Sequence, residues 1–402
     1  MKILILLHDL VMGGTTINAI ELGTALRDRH GHEVVLFATP GPMTPLVDRS
    51  GLRLLPAPIA TAHPSPARMQ ALREAVRRER PDLIYAWEAW TCIDAYYAAH
   101  LPMGVPMLVT DMTMQVTRLL PRELVTTFGT PDLVAKARAA GRHRAELLLP
   151  PVDHRANARA AVDPTCLRQR CGIGADDITL VTVSRLAESM KGESLLRTLD
   201  AVRTLGRELP LRLLIVGDGS ARGDLEHEAA RVNAELGRPA AQLIGAMLDP
   251  RPAYAAADIV IGMGGSALRG LAFGKAVIVV GERGFSAPFA PNTAEHFYRH
   301  GFYGLGRSRL GEGSLGADIH ALAQRRDTLT ALGEFSRQFV AQRFSLDLVS
   351  ARLSQICVDA VTHPPRYPRA AMDALRTTAV YLRERRFLWR VPAPAPMESA
   401  DA

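Results

Sequence analysis

The sequence is poor in cysteine, in aromatic residues and in long hydrophobic runs. Its 402 residues include only four cysteines, too few and too scattered for a disulfide scaffold or a cysteine metal site: Cys92, Cys166, Cys171 and Cys357. Aromatic residues make up 5% of the chain. Its arginine-rich runs lack interleaved stacking aromatics, so we expect no nucleic-acid partner. No apolar run approaches the roughly eighteen residues of a spanning helix, and we therefore predict no transmembrane segment.

The chain also lacks a strong excess of one charge. Its 48 basic and 41 acidic residues give a net charge of +7. This mild positive bias suits an anionic substrate and leaves peripheral contact with an acidic membrane surface open. The apolar start is short and runs into His8 and Asp9, which indicates a buried strand rather than a leader peptide. Together with unpaired cysteines, this predicts a cytoplasmic protein.

Apolar strands alternate with amphipathic helices through two successive halves. The predicted strands of the first half are Lys2–Leu7, Glu33–Ala38, Leu83–Trp87, Pro106–Thr110, Val125–Phe128 and Glu146–Leu149. Those of the second half are Ile178–Ser184, Arg212–Val216, Gln242–Ile244, Asp258–Ile261 and Ala276–Val280. Continuous apolar strands with helices between them are typical of parallel sheets covered on both faces. We therefore predict an α/β fold of two Rossmann-like, doubly wound domains facing each other across a cleft.

A proline-containing segment, Leu149–Cys166, separates the two halves and is the predicted hinge. The predicted domains are residues 1–155 and 156–345. Residues 346–390 are predicted to form C-terminal helices that pack back on the first domain. Residues 391–402, rich in proline and alanine, are predicted to be a flexible tail.

Loops after strands are where chemistry is expected, because ligands bind beyond the carboxyl ends of doubly wound sheets. The first such loop contains His8 and Asp9, followed by Gly13 and Gly14 at the start of a helix. Paired glycines let the backbone approach a ligand, and a helix N-terminus favours an anion. An ordinary strand-to-helix turn explains the same pattern equally well.

The loop Ser184–Gly192 carries two cations, Arg185 and Lys191, ahead of another predicted helix. Two cations and a helix N-terminus can neutralise a departing diphosphate without a metal ion. A solvated basic loop is the alternative interpretation.

Two further glycine-rich loops follow predicted strands of the second half, at Gly217–Gly219 and at Ile261–Gly270. Their glycines allow backbone contact with a sugar or a phosphate, although a plain turn would also need them. Ser266 is predicted to cap the helix that follows.

Taken in order, these motifs resemble the GT-B glycosyltransferases, in particular the retaining family 4 group. The segments MKILILL, RPDLIYAW, LLPPVD, SRLAESMKG, LIVGDGS, AADIVIG and LAFGKAVIVVG follow one another as in that family, over roughly Met1–Val361. The resemblance implies transfer of a sugar from a nucleotide-diphosphate sugar, such as a UDP-, GDP- or dTDP-sugar, to a hydroxyl or amine. It implies retention of configuration, no metal and no cofactor.

The loops and the resemblance together predict residue roles, with the acceptor bound by the first domain and the donor by the second. The donor-binding residues would be Gly13, Gly14, Arg185, Glu188, Lys191, Gly217, Gly245, Gly264, Gly265, Ser266 and Arg269. The catalytic residues would be Arg185, Lys191 and Asp111. The acceptor-binding residues would be His8, Asp9, Trp87 and Glu88.

Two departures from the family pattern mark a divergent member. The usual Glu-x7-Glu pair falls on Ile261 and Arg269, and a guanidinium cannot accept hydrogen bonds from hydroxyls. Glu282 could replace one lost carboxylate. A histidine common after the fourth predicted strand is Met112 here, beside Asp111. Asp111 or Glu88 could orient the acceptor hydroxyl, and Asp111 could instead cap a turn.

Other functions remain open on the same fold. One alternative is a nucleotide-sugar epimerase or a phosphorylase, and another is an inactive nucleotide-sugar-binding homologue that supports a partner. The acceptor could be a small molecule or lipid-linked, in secondary-metabolite or cell-envelope glycosylation, and the protein a monomer or a homodimer. His296 and His300 share a helical spacing, but no further ligands are evident, so we predict no metal site.

Overall fold

The computed structural model describes residues 1–363 and 367–385 of the chain. They form two compact units. Unit 1 comprises Met1–Gly129, Leu133–Leu148 and the described residues from Ser350 onward, and unit 2 comprises Thr130–Asp132 and Leu149–Val349. The unit boundaries thus lie near residues 149 and 350, whereas the sequence placed them at 155 and 345. The predicted tail, 391–402, lies outside the described residues.

Strands and helices alternate along both units. The strands are β1 Lys2–Asp9, β2 Glu33–Thr39, β3 Arg53–Pro56, β4 Leu83–Trp87, β5 Met107–Asp111, β6 Val125–Phe128, β7 Ala145–Leu147, β8 Ile178–Val183, β9 Leu211–Val216, β10 Ala241–Gly245, β11 Ile259–Gly262, β12 Ala276–Val280 and β13 Ser286–Pro288. The helices are α1 Gly14–His30, α2 Thr44–Ser50, α3 Pro66–Glu79, α4 Glu88–Ala95, α5 Leu101–Met103, α6 Pro131–Ala139, α7 Thr165–Arg170, α8 Glu193–Leu205, α9 Arg222–Leu236, α10 Arg251–Ala256, α11 Gly265–Ala272, α12 Ala294–His300, α13 Leu315–Ala323, α14 Arg326–Arg343, α15 Leu346–Thr362 and α16 Tyr367–Arg385.

The two sheets share one strand order. In unit 1 the order is β3-β2-β1-β4-β5-β6-β7, and neighbouring strands are parallel throughout. In unit 2 the order is β10-β9-β8-β11-β12-β13, with β13 antiparallel to β12. In each sheet the chain therefore begins with a central strand and adds strands outward to one edge. It then returns to the centre and adds strands outward to the other edge. This is the doubly wound arrangement that the sequence predicted, and the α/β fold class is confirmed.

Alternate residues of the strands face opposite sides, and both sides are buried. In β11, Val260 packs into one hydrophobic cluster of unit 2, whereas Ile259 and Ile261 pack into another. A strand buried on both faces must be apolar at consecutive positions, because its side chains alternate across the sheet. This explains why the strands read as continuous apolar runs rather than as alternating ones.

The prediction missed the elements without a long apolar run or a regular helical pattern. β3 is only four residues long and half exposed, and β13 is a three-residue edge strand. Several helices were also missed, among them α2, α4, α12 and α13. The predicted strands fall within a few residues of the observed ones.

The described C-terminal residues belong to unit 1 through specific side-chain contacts of α16. Asp373 accepts a hydrogen bond from the backbone N–H of Glu123 at 2.8 Å. The hydroxyls of Thr378 and Tyr97 lie 2.8 Å apart. Tyr381 donates to the carbonyl of His63 at 2.7 Å. These polar contacts fix the register of α16 on the loops of unit 1.

Gly270 in α11 offers a test of this packing. A methyl group there would lie 2.9 Å from Val260 Cβ and 3.1 Å from Val277 Cγ2, both in the core of unit 2. We expect Gly270→Ala to destabilise unit 2 by about 1–3 kcal/mol, the usual cost of overpacking. The measurement is the midpoint of thermal unfolding.

Gly223 in α9 is the matched control, because a methyl group there would meet nothing within 4 Å. Gly223→Ala should be neutral or stabilising by up to about 1 kcal/mol, as expected for alanine in a helix. Equal effects of the two substitutions would contradict the described contact between α11 and the sheet.

Candidate functional site

The predicted site residues lie where the strand order of each sheet reverses. In unit 1 the order reverses between β1 and β4, and in unit 2 between β8 and β11. Parallel strands end at the same edge, and the helices that follow two such strands leave on opposite faces, which opens a crevice there. His8, Asp9 and Glu88 lie at the ends of β1 and β4, whereas Arg185 and Lys191 follow β8.

In unit 2, Arg185 and Lys191 occupy the loop between β8 and α8. Arg185 is exposed and Lys191 is partly buried. The pKa of Lys191 is lowered to about 8, mainly by burial and also by the positive charge of Arg185, while the carboxylate of Glu282 partly offsets both effects. The loop therefore concentrates positive charge that the surrounding protein only partly neutralises. Such a site favours a ligand that carries several negative charges.

The backbone of this loop leaves helical geometry just before Lys191. Met190 has a φ of 63°, which is strained for a residue with a side chain, and Ser189 is extended with a ψ of 141°. The sequence predicted that a helix follows this loop, and its regular part begins at Glu193. Strained residues of this kind are concentrated at functional sites.

Glu193 joins the start of α8 to the loop after β12. Its carboxylate accepts hydrogen bonds from the backbone N–H groups of Arg283 and Gly284, at 2.6 and 2.7 Å. Arg283 has a positive φ of 55°. The same loop carries Glu282, which accepts a hydrogen bond from the hydroxyl of Tyr303. Burial and this carboxylate raise the pKa of Tyr303 to about 12.

The glycine-rich loops of unit 2 differ in what their glycines do. A methyl group on Gly217 would lie 1.8 Å from the carbonyl oxygen of Ser184, so glycine is required there by contact with the neighbouring loop. Gly264 has a φ of 56° and open space around it, and Gly245 has a φ of 84° with only Arg222 at 4.0 Å. Their role in donor binding stays a prediction, and the packing of Gly217 explains that glycine without a ligand.

The loop between β11 and α11 is short, since only Met263 and Gly264 separate the two elements. The prediction that Ser266 caps α11 is wrong, because Ser266 lies inside the helix and accepts a hydrogen bond from Tyr254 at 3.2 Å. Ile261 is 1% exposed within β11. A carboxylate at that position would be buried in the sheet.

Arg269, at the other position of the missing pair, is 9% exposed within α11. Its guanidinium lies 3.5 Å from the carbonyl oxygen of Gly265 and acts electrostatically on the buried hydroxyl of Tyr254. Glu188, in contrast, is exposed at the start of the turn that carries Lys191. The proposed donor contacts of Arg269, Gly265 and Glu188 remain predictions.

The loop after β1 leads into α1 through Gly13 and Gly14. Gly13 is extended, with a φ of −178°, so its conformation does not require glycine. A side chain on either residue would meet nothing within 4 Å. Neither backbone strain nor protein packing therefore explains the two glycines, and the space at the N-terminus of α1 is open.

Four acidic and histidine side chains interact electrostatically in unit 1. Glu88, the first residue of α4, has a positive φ of 69°, and its carboxylate accepts a hydrogen bond from Thr15 at 2.9 Å. Burial raises the pKa of Glu88, and Asp111 and Asp9 raise it further, whereas Thr15 and His8 lower it. The structure thus brings together four residues that the sequence assigned to catalysis or acceptor binding.

Asp111 lies at the end of β5 and is 1% exposed. Its Oδ1 accepts hydrogen bonds from the backbone N–H of Thr113 at 3.1 Å and from the Thr113 hydroxyl at 2.6 Å, so Asp111 does stabilise a turn. Its Oδ2 is buried and makes no hydrogen bond. Trp87 is also 1% exposed and packs beside Tyr85 in the core. This burial does not favour the prediction that Trp87 contacts the acceptor.

His8 and Asp9 belong to a hydrogen-bonded series that the sequence did not indicate. His8 Nδ1 lies 3.0 Å from Asp9 Oδ2, and His8 Nε2 lies 3.1 Å from His63 Nε2. His63 in turn contacts Asp94. His63 and Asp94 stand 55 and 86 residues after His8 in the chain, in segments without a motif, and only the strand order brings them together. Tyr303 and Glu193 were missed for the same reason.

His296 and His300 do share one face of α12, with ring centroids 4.7 Å apart. Asp132 lies 3.8 Å from His300 Nδ1. Across residues 1–363 and 367–385, no cluster of three or more His, Cys, Asp or Glu side chains is arranged to hold a metal ion.

Comparison with known proteins agrees with this architecture. The family described as Glycosyltransferase Family 4 matches residues 12–160, which lie mostly in unit 1. A glycosyltransferase from Rickettsia africae ESF-5 superposes with a TM-score of 0.70 at 17% identity, covering 90% of this chain and 99% of the other. None of the curated proteins matches the sequence.

Two further solved structures share the fold. Anabaena HepE in complex with UDP-glucose superposes with a TM-score of 0.67 at 17% identity, over 88% of this chain and 98% of HepE. Sucrose-phosphate synthase from Thermosynechococcus elongatus gives a TM-score of 0.67 at 14% identity, over the same shares of the two chains. The chain shares the GT-B fold of these structures, and its match to the Glycosyltransferase Family 4 model is confined to residues 12–160.

The segment matched by the family model contains Gly13, Gly14, Glu88 and Asp111, whereas His8 and Asp9 precede it. Both cation-bearing residues, Arg185 and Lys191, lie beyond it. Of the helices in the part of the chain that the structure describes, none is long and apolar enough to cross a membrane.

Glu88 allows a test of the electrostatics of unit 1. Because burial raises its pKa in the folded protein, the folded state binds more protons than the unfolded state above the ordinary glutamate pKa, about 4.3. The ionised side chain therefore destabilises the folded state at neutral pH. We expect Glu88→Gln, which can still accept from Thr15, to unfold at a higher temperature than the wild type at pH 7.5.

This advantage should shrink as the pH falls towards 4, where the wild-type carboxyl group becomes neutral as well. Glu74→Gln, at an exposed position of α3, is the control and should show no such trend. A Glu88→Gln protein that is less stable than the wild type at pH 7.5 would show that ionised Glu88 has stabilising contacts.

Proposed function

We propose that the protein transfers a sugar from a nucleoside-diphosphate sugar to a hydroxyl group, without a metal ion. The observation that carries this proposal is the pair of cations in the loop after β8 of unit 2. Arg185 is exposed, Lys191 is partly desolvated, and each disfavours the charge of the other. A polyanionic ligand would relieve this repulsion, and a diphosphate is the anionic group common to all nucleotide-sugar donors.

Transfer requires the bond between the anomeric carbon and the diphosphate oxygen to break. The electron pair leaves with the nucleoside diphosphate, so negative charge grows on the leaving group in the transition state. Arg185 and Lys191 would stabilise that charge from fixed positions, as preorganised donors do in other active sites. This mode of catalysis needs no metal and suits a front-face reaction that retains configuration.

Nucleoside recognition in this protein must differ from the usual pattern, because the positions of the two glutamates hold Ile261 and Arg269. Glu282 is the proposed replacement. Its carboxylate already accepts a hydrogen bond from Tyr303 and interacts with Lys191. A carboxylate can accept two ribose hydroxyls, which a guanidinium cannot. UDP-sugars are the first donors to test, since HepE was solved in complex with UDP-glucose.

The acceptor is proposed to bind unit 1, near the carboxylates of Asp9 and Glu88. Asp9 is partly exposed, and hydrogen bonding to His8 keeps its pKa below the ordinary value. It therefore stays ionised and can accept a hydrogen bond from a hydroxyl group. A small-molecule or lipid-linked acceptor, made in the cytoplasm for a secondary metabolite or the cell envelope, remains the proposed class.

Binding of UDP is the first expected result. At about one hundred times its dissociation constant, a ligand that binds only the folded state stabilises it by about 2.7 kcal/mol. UDP should therefore raise the unfolding temperature measurably. Arg185→Ala and Lys191→Ala should each remove most of this increase, because each deletes one of the two cations.

Arg231→Ala is the matched control, since Arg231 is a solvated arginine of unit 2 paired with Glu228. It should leave the stabilisation by UDP unchanged.

Binding without release of UDP from UDP-sugars, across a broad set of acceptors, would favour the non-catalytic homologue. Release that requires inorganic phosphate would favour a phosphorylase, and interconversion of the sugar without release would favour an epimerase. No stabilisation by any nucleoside diphosphate would refute the proposal.

UDP affinity should also depend on pH through Lys191. With a pKa of about 8, Lys191 loses its proton above that pH in the free protein, whereas the phosphates of UDP, with a last pKa near 6, are already ionised. The dissociation constant of UDP should therefore rise by up to about tenfold per pH unit above pH 8. Calorimetric titrations between pH 7 and 9.5 would measure this.

Lys191→Arg is the decisive variant, because arginine keeps its charge throughout this range. It should bind UDP at pH 7 and lose most of the pH dependence. A dependence that persists unchanged in Lys191→Arg would mean that another group titrates on binding.

A further inference from the structure

Helix α16 of unit 1 presents large apolar side chains to solvent. Met372, Leu375 and Leu382 are 67%, 75% and 59% exposed. Together with the exposed Ala379 they are spaced by three and four residues, which places all four on one face of the helix. We call Met372, Leu375, Ala379 and Leu382 the apolar stripe.

The opposite face of α16 packs on unit 1 through polar groups. Asp373 and Thr377 are buried, and Asp373 accepts a hydrogen bond from the backbone N–H of Glu123. Two turns further on, Tyr381 donates to the carbonyl of His63. A surface helix normally does the reverse, because burial of its apolar side chains stabilises the fold. The packing of α16 on unit 1 therefore does not explain the apolar stripe.

Arginines line one border of the apolar stripe. Arg369, Arg376 and Arg383 recur every seven residues, or about every two turns, which aligns them along the helix. Arg369 and Arg383 are exposed, whereas Arg376 is half-buried and paired with Asp373. Among the described side chains of α16, residues 369–384, every exposed one is either apolar or an arginine. This face thus combines apolar area with positive charge.

The same composition continues along the sequence. Between Tyr367 and Arg390 the chain has six arginines and two acidic residues. Three large apolar residues, Phe387, Leu388 and Trp389, stand among the last of these arginines. Arginine combined with leucine and aromatic residues is typical of segments that bind at the surface of an anionic membrane.

A second copy of the chain suits this face less well. If two α16 helices paired through their apolar stripes, the residues at the borders of the stripes would face one another. One border carries Arg369, Arg376 and Arg383, and the described positions of the other border hold Ala371 and Thr378. These positions offer no carboxylate to the arginines. The charge of the surface therefore favours an anionic partner over a copy of itself.

We propose that α16 docks unit 1 on the surface of an anionic lipid bilayer. The apolar stripe inserts among the lipid headgroups, and the arginines beside it contact lipid phosphates. Affinity then comes from the buried apolar area and from attraction to the negative headgroups. This docking goes beyond the proposed function and does not depend on it, because it involves no step of sugar transfer.

The test is co-sedimentation of the full chain with lipid vesicles. One set of vesicles is phosphatidylcholine alone, and the other has equal parts of phosphatidylcholine and phosphatidylglycerol. We expect at least about tenfold tighter binding to the second set, because arginines near its negative surface are attracted to it. Added salt should weaken this binding, since it screens the charges. Equal binding to both sets, or binding to neither, would overturn the proposal.

Leu375→Ser and Leu382→Ser test the apolar stripe. Each should weaken binding to the anionic vesicles by about tenfold, because each removes an apolar side chain that the bilayer buries. Both leucines are exposed in the free protein, so the unfolding temperature should stay close to that of the wild type. Leu305→Ser is the matched control, since Leu305 is a leucine of unit 2 that is 61% exposed. Wild-type binding by both stripe variants would refute insertion.

Arg383→Gln tests the arginine border. Loss of one charge near the bilayer should weaken binding by about fivefold and reduce its dependence on salt. Arg231→Gln, at an exposed arginine of unit 2, should bind as the wild type does. Identical effects of the two substitutions would show that binding follows the total charge of the protein and not this surface.

The oligomeric state decides between the bilayer and a second copy. Sedimentation velocity without vesicles should give the same molecular mass for the wild type and for Leu375→Ser. A wild-type dimer that Leu375→Ser converts into a monomer would overturn the proposal and assign the apolar stripe to an interface between copies.

Discussion

The reversal of strand order in the middle of each sheet is the constraint on which the candidate chemistry depends. β1 and β4 are neighbours although 73 residues separate the end of one from the start of the other, and β8 and β11 are related in the same way. Loops that follow such strands must lie side by side at one edge of the sheet. Glu88 therefore meets Thr15 and His8 in unit 1, with Asp111 at the end of the next strand.

Desolvation shifts the pKa values of charged side chains in these loops. Partial burial lowers the pKa of Lys191 and raises that of Glu88. In both cases burial therefore disfavours the charged form of the side chain. The excess charge around Lys191 in unit 2 is positive, and the excess charge around Glu88 in unit 1 is negative. The first environment suits a polyanionic ligand, such as the diphosphate of the proposed donor. Met190 and Glu88 both have a positive φ, so the backbone is strained in both loops.

The sequence was sufficient for the architecture because strands buried on both faces are continuously apolar and loops after them carry the polar residues. For that reason the sequence was enough to select four candidate residues in these loops: Arg185, Lys191, His8 and Asp9. Short edge strands such as β3 gave no comparable pattern. The predicted capping role of Ser266 is wrong because α11 begins two residues earlier than the pattern suggested, which places Ser266 inside α11. The positions of His63 and Asp94 beside His8 could not be predicted, since they depend on contacts between distant segments.

The short loop after β11 also bears on the absence of the glutamate pair. With β11 running through Gly262, the position of the first expected glutamate is a core residue of the sheet, and restoring a carboxylate there would bury an unpaired charge. The loss of the glutamate pair is therefore a change of the loop and not of two side chains. Under the proposed function, the ribose and the sugar would be recognised by neighbouring loops. The loop after β12 is suited to this, because Glu193 holds its backbone and Tyr303 orients the carboxylate of Glu282 beside Lys191.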